Sequence, residues 1–231
     1  MRTLAILVAL VAAFLYGTAV FSLQLFPFEF LRDIKQMIFP YEDLHYADRV
    51  SQFEALPVRD TDVVLVGDSL VAEGEWQELL PHLVVANRGI RGDRTDRLLE
   101  RLATVPAAGT ICVLIGINDL AADAPASEVM ERYEQILDAL GTRTDHLVVV
   151  SVLPVIGNVS MNAAIVALNE SIRSLASARE YTFVDAHSAL LSGSALDPDL
   201  SSDGTHLNGA GYQRLAGVLS PFLDVSDDPG N

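Results

Sequence analysis

The chain has 231 residues, half of them hydrophobic, enough for one ordinary globular domain with an additional segment. Its 31 acidic and 15 basic side chains give a formal net charge of -16, a surface that repels phosphate backbones and argues against nucleic acid as a partner. The single cysteine, Cys112, rules out an intrachain disulfide and, set in an apolar run, reads as a buried, inert thiol.

In chain order, the additional segment comes first. No charged residue occurs from Thr3 to Phe28, and LAILVALVAAFLYGTAVFSLQLF (Leu4–Phe26) is long enough as a helix to cross a hydrocarbon core of ~30 Å. A cleaved signal peptide carries an apolar region of only ~7–15 residues. Residues 1–28 are therefore expected to be an uncleaved membrane anchor; a signal peptide, cut near the Gly17-Thr18-Ala19 pattern, is the alternative. Arg2 favours a cytoplasmic N-terminus while Arg32 and Lys35 pull the other way; the reading taken is a domain outside the cytoplasm, anchored, or secreted after cleavage. Residues 29–60 link anchor to domain. Within them Leu44, Ala47, Val50 and Phe53 recur near helical spacing, so a helix is expected there, ending before Pro57.

From residue 61 to residue 224 the pattern alternates. Strand-like runs are DVVLVG (62–67), LVVAN (83–87), TICVLIG (110–116), HLVVVSVL (146–153) and YTFVD (181–185). Between and after them, apolar residues at helical spacing mark helices at Leu98–Val105, Val129–Leu140, Met161–Leu175 and Tyr212–Phe222. Strands that read as unbroken apolar runs are buried on both faces, as in parallel sheets. The expected fold is an α/β class, three-layer α/β/α sandwich on a five-stranded parallel sheet, with right-handed crossovers. Residues 225–231 form a tail expected to fray.

Ligands in such sheets lie beyond the carboxyl ends of the strands, and the unusual polar residues fall there. Ser69 follows the first strand in VGDSL; NRGIRGDRTD follows the second; Asn118 follows the third in GIND; and a loop after the fifth holds SSDGTHL, with Asp203 and His206. A serine hydroxyl is a poor nucleophile until a base takes its proton, and imidazole suits that task near neutral pH. A carboxylate then fixes the tautomer and stabilises the imidazolium. Amide donors must meet the oxyanion, and the Ser69 amide, the Gly92 amide and the Asn118 side chain are candidates. The glycine at 92 lets backbone approach a ligand closely.

These blocks resemble those of the SGNH/GDSL hydrolases, a family of serine esterases and lipases with a flavodoxin-like sandwich. Gly67-Asp68-Ser69-Leu70 resembles the first block, Asn87 to Asp93 the second, Gly116-Ile117-Asn118-Asp119 the third, and Asp203-Gly204-Thr205-His206 the last. The resemblance runs from about Tyr41 to Leu223. It implies Ser69 as nucleophile, His206 as base, Asp203 as orienting acid, and Ser69, Gly92 and Asn118 as the oxyanion hole. The NRGIRGD and GIND wording is similar to the sialate-O-acetylesterase-like and platelet-activating-factor-acetylhydrolase-like branch.

Plainer readings are set beside these. Ser69 could cap a helix. Asp68 reads as a structural hydrogen-bonder, Asp119 as a turn residue, and Trp76 as packing for the first crossover helix. Asp185 and His187 read as structural, and His45 and His82 as surface residues. Arg91 and Arg94 flank Gly92; they could recognise an anionic substrate, but local pairing with Asp93 or Asp96 is the preferred reading. No spacing suggests a metal site, and neither metal nor organic cofactor is called for. The expected activity is a serine carboxylic-ester hydrolase acting on a small ester, a short acyl group or an O-acetylated sugar. An O-acyltransferase to a glycan hydroxyl and an inactive, membrane-tethered binding module are the alternatives.

Overall fold

The computed structural model describes residues 16–17, 41–56 and 61–224. Two compact units divide the chain, Met1–Asp48 and Arg49–Asn231. In the first, Tyr16 and Gly17 are helical and exposed. Apart from those two residues, the expected span at Leu4–Phe26 lies outside the described residues, as does the tail at 225–231. Among the described residues no helix is long and apolar enough to cross a membrane. The linker helix α1 covers Tyr41–Ala55 and stops two residues short of Pro57, whose ring disfavours helical geometry in the residue before it.

The second unit is built on five parallel strands: β1 (Val63–Gly67), β2 (Val85–Gly89), β3 (Thr110–Leu114), β4 (His146–Val150) and β5 (Thr182–Val184), in the order β2-β1-β3-β4-β5. In register, Val63 faces Val85 on one side and Thr110 on the other. The order reverses between β1 and β3, and their carboxyl ends, Gly67 and Leu114, lie side by side. Such a switch point opens a crevice above the sheet.

The unbroken apolar runs are explained by two cores. Val63, Leu65, Cys112, Leu114, Val148 and Val150 face one layer; Val64, Val66, Ile111, Val113, Leu147 and Val149 face the other. Each fully buried aliphatic side chain contributes ~1.5–3 kcal/mol, so both faces must be covered. The first layer contains α2 (Ser69–Ala72), α3 (Trp76–Leu79), α8 (Ala186–Ala189) and α9 (Gly209–Leu223). The second contains α4 (Thr95–Glu100), α6 (Ala126–Gly141) and α7 (Val159–Ala178). Between β3 and α6 lies the short α5 (Ile117–Ala121). Cys112 is 2% exposed, as expected, and burial pushes its thiol up to about 12.

Two local expectations differ from the structure, and one element was not expected. The second strand was expected at 83–87 but covers Val85–Gly89, ending in Arg88 and Gly89, which are buried; the Arg88 guanidinium lies over the Phe53 ring and donates to the Thr104 carbonyl. The helix expected through Leu98–Val105 breaks after Glu100 and resumes as a 3₁₀ turn, Leu102–Thr104. A small antiparallel ribbon, β6 (Leu191–Ser192) and β7 (Ala195–Leu196), sits before the final loop, unannounced by any apolar run.

Candidate active site

Gly67 ends β1 because nothing larger fits: a Cβ there would lie 2.0 Å from the carbonyl oxygen of Leu114 on β3. The chain then turns into α2. Asp68 is its N-cap, accepting the Leu70 N–H at 2.9 Å, so Ser69 is the first helical residue and not the cap. Ser69 is 6% exposed. Its hydroxyl oxygen lies 3.0 Å from His206 Nε2, across 137 residues of sequence.

His206 comes from the loop between the 3₁₀ turn Pro198–Leu200 and α9. Its Nδ1 is 2.7 Å from Asp203 Oδ2. Asp203 Oδ1 accepts the backbone N–H groups of Thr205 and His206, at 2.9 and 2.8 Å, which ties acid and base into one tight turn. The His206 hydrogen bond and these two amides hold the Asp203 carboxyl well below the usual carboxylate range. Ser201 braces the turn from beneath, donating its hydroxyl to the His206 carbonyl at 2.7 Å and accepting the Gly204 N–H at 2.9 Å. The loop after β4 supports it from the side, where Ile156 N–H donates to the Gly204 carbonyl at 2.8 Å. That loop is itself clamped by two side chains of α7: Asn169 bonds both backbone groups of Val152, and Asn162 both of Val155.

The second and third blocks are joined to the first by hydrogen bonds. Ile90 N–H donates to the Gly67 carbonyl at 3.0 Å, carrying the β2 loop over the end of β1. Gly92 adopts a φ of +71°, a left-handed conformation that favours glycine, and its N–H donates to no described residue. Asn118 Nδ2 donates to the carbonyl of Asp93 at 2.9 Å, which places its amide beside the Gly92 turn with a second N–H to spare.

Beneath this surface lies a buried ionic web. Arg101, 3% exposed, donates through Nε and Nη2 to Asp93 Oδ2 at 2.8 and 2.7 Å, and through Nη2 to the carbonyls of Arg88 and Gly67 at 2.9 and 3.2 Å. One guanidinium thus fastens the end of β1, the end of β2 and the Gly92 turn together. Burial raises the Asp93 carboxyl to about 6, against the pull of Arg101. Asp119 is fully buried: it accepts the Thr95 N–H and, at 2.6 Å, the Thr95 hydroxyl, anchoring α4 to α5. Asp68 is also fully buried, its Oδ2 has no partner, and desolvation pushes it to about 7.

Ser69 and the Asp203–His206 pair, far apart in sequence, are therefore brought into one hydrogen-bonded line, with Gly92 on an adjoining turn and Asn118 in α5. A hydroxyl, an imidazole and a carboxylate so joined can abstract and return a proton. The remaining polar residues sort as follows. Asp68 is structural, as expected. Asp119 corrects its reading as a turn residue, since it anchors two helices from inside the core. Arg94 forks onto Asp96 at 3.1 and 2.8 Å, as expected of a local pair, while Arg91 pairs with Glu73, outside the two partners anticipated for it. Asp185 caps α8, and Ser151 Oγ accepts the His187 N–H. His82 is exposed; His45 is half-buried. Trp76 is packing: 2% exposed, it donates Nε1–H to the Val71 carbonyl at 2.7 Å and meets Tyr212 edge to face. Sequence reasoning did not find Arg101 or Ser201. An arginine followed by an apolar residue in a helical stretch reads as solvated surface, and a serine in SSDG as a turn.

A parallel α/β sandwich with this line of groups at its switch point is the architecture of a hydrolase. Residues 65–214 match the model of the GDSL-like lipase/acylhydrolase family, and the chain belongs to that family. It is a carboxylic-ester hydrolase. No curated protein matches the chain. Among solved structures it is similar to one from Streptococcus pneumonia named for platelet activating factor, at 28% identity and TM-score 0.77, covering 84% of this chain and 99% of that one. It is similar in fold to a GDSL-like lipase from Bacteroides thetaiotaomicron (19% identity, TM-score 0.64, 77% and 96% covered). The acetylxylan esterase of Geobacillus stearothermophilus is similar at the same identity (TM-score 0.60, 70% and 93% covered).

Proposed function

We propose that the protein hydrolyses short-chain acyl esters, O-acetyl groups on carbohydrate among them, through an acyl-enzyme on Ser69. His206 Nε2 takes the Ser69 proton as Oγ attacks the ester carbonyl. The Ser69 amide, the Gly92 amide and Asn118 Nδ2 receive the oxyanion. Asp203 holds the imidazole through Nδ1 and stabilises the imidazolium. When the tetrahedral intermediate collapses, the proton passes to the departing alcohol. A water then gives its proton to His206 and attacks the acyl-enzyme, releasing the acid and restoring the serine. The observation that carries this reading is the hydrogen-bonded line from Ser69 through His206 to Asp203. The short-acyl part rests on the resemblance of NRGIRGD and GIND to one branch of the family. Hydrolysis of p-nitrophenyl esters of rising chain length tests both parts. Ser69→Ala should lower the rate ~10⁴-fold or more, and acetate should be preferred over octanoate. A Ser69→Ala enzyme with wild-type turnover contradicts the mechanism; a preference for octanoate contradicts the substrate class.

The proposed layout is an anchor at 1–28, a linker at 29–60, the hydrolase domain at 61–224 and a tail at 225–231, with the domain outside the cytoplasm. It rests on the uncharged run from Thr3 to Phe28. Alkaline washing should leave the full chain in membranes; release, or a mature N-terminus near Val20, favours a cleaved signal.

A further inference from the structure

Away from the catalytic line, the exposed edge of β2 carries an arrangement that ester hydrolysis does not use. Three guanidinium groups surround one ring: Arg49, Arg88 and Arg101 lie 4.6, 5.0 and 5.9 Å from the centroid of Phe53. Asp93 neutralises Arg101. Burial lowers both Arg88 and Arg49, and the charges of Arg49 and Arg101 add to it at Arg88, that of Arg101 at Arg49. Arg88 is 9% exposed, yet its side-chain bonds are two long ones, 3.3 Å each, to the carbonyls of Thr104 and Asn87. A buried guanidinium with no carboxylate partner among the described residues is costly, and it occurs here in a chain with twice as many acids as bases.

Arg88 lines a cavity of about 340 Å³, at the small end of ligand pockets, which span ~300–1,000 Å³. Its other walls include Leu56, Val84, Ala86 and Pro106. Leu56 and Val84 are 49% and 50% exposed, which is unusual for large aliphatic side chains that share one concavity. Thr61, also on the wall, has a buried hydroxyl with no hydrogen-bond partner. A cationic fork, an unused hydroxyl and aliphatic walls together describe a receptor for an oxyanion on a hydrocarbon chain.

We infer that this cavity binds a medium-chain alkyl carboxylate, with the carboxylate on the Arg88 guanidinium and Thr61 hydroxyl and the chain along Leu56, Val84 and Pro106. A single carboxylate matches the planar fork and offsets the surplus positive charge around Phe53. The site is separate from the catalytic line, and its lining shares no residue with Ser69, His206 and Asp203.

Isothermal titration of the full chain with octanoate tests the inference, with octan-1-ol and acetate as controls for head and chain. Octanoate should bind one to one, and each control about tenfold more weakly. Arg88→Met should weaken octanoate about tenfold, and Arg49→Gln and Val84→Asp each by about threefold or more. The last two alter more exposed side chains and keep the test open if Arg88→Met does not fold. Unchanged octanoate affinity in the folded variants, or acetate binding as tightly as octanoate, overturns the inference. Binding that vanishes when Ser69 is covalently blocked, and not in these variants, places the acid at the catalytic site and overturns it as well.

Discussion

Two aspartates near Ser69 each hold a basic partner at 2.7 Å, and their surroundings separate them. Asp203 meets His206 on a loop where its side chain is 56% exposed; Asp93 meets Arg101 where the two side chains are 0% and 2% exposed. Hydrogen bonds with water at hand keep Asp203 ionised, whereas burial drives Asp93 towards neutrality despite its arginine. The exposed pair is suited to moving a proton, because its partner can change charge without unfolding anything. The buried pair is suited to holding geometry, because a guanidinium does not titrate and its removal strands a carboxylate in the core. One pair therefore stands for chemistry and the other for shape.

Breaking each pair should separate those roles. The largest effect is expected at the exposed pair. Asp203→Asn should lower kcat about 10³–10⁴-fold while urea unfolding shifts by less than ~1 kcal/mol, because the side chain is solvated. Steady-state kinetics beside a denaturation curve reads both; a large stability loss would merge the two regions. At the buried pair the order reverses. Arg101→Leu should cost about 3–5 kcal/mol of unfolding free energy, with kcat falling as the Gly92 turn loosens. Arg101→Lys should recover part of the stability and less of the activity, since a point charge cannot reach Asp93 and two carbonyls at once.

The smallest effect concerns Asp68, which sharpens the contrast from within the core. Asp68 and Asp93 sit near 7 and 6 in the fold, above the ~3.9 of an unfolded aspartate. Between those values the folded chain holds more protons than the unfolded one, so stability should decline as pH rises from ~4 to ~7. Asp203 is shifted the other way, and its share is lost only as pH falls below that window. Asp68→Asn keeps the acceptor for the Leu70 N–H and removes one titration. It should flatten the decline by about 1–3 kcal/mol, read from melting curves between pH 4.5 and 7.5. An unchanged slope means that Asp68 is ionised throughout.

The same contrast marks what was legible in the sequence. Strands β1, β3 and β4 announce themselves because burial on both faces demands consecutive apolar residues. Ser69 and Asn118 stand out because each follows an apolar run and is chemically out of place there, and Asp203 and His206 because one short loop holds both an acid and an imidazole. Asp203 and His206 are local to one another, so even their pairing could be anticipated. The buried web was not legible. Arg101 reaches Gly67 across 34 residues and Thr95 reaches Asp119 across 24, and nothing at either end records the other. The polar end of β2 was missed for a related reason, since Arg88 is buried against Phe53 and the Thr104 carbonyl, partners far from it in sequence.

The account turns on the Ser69 hydroxyl being the group that His206 activates. Treating the full-length enzyme with a fluorophosphonate and mapping the adduct by peptide mass spectrometry tests this most directly. One adduct on the peptide containing Ser69, formed far more slowly in His206→Ala, is the predicted result. An adduct on another residue, or ester hydrolysis that persists with Ser69 unmodified, would contradict it.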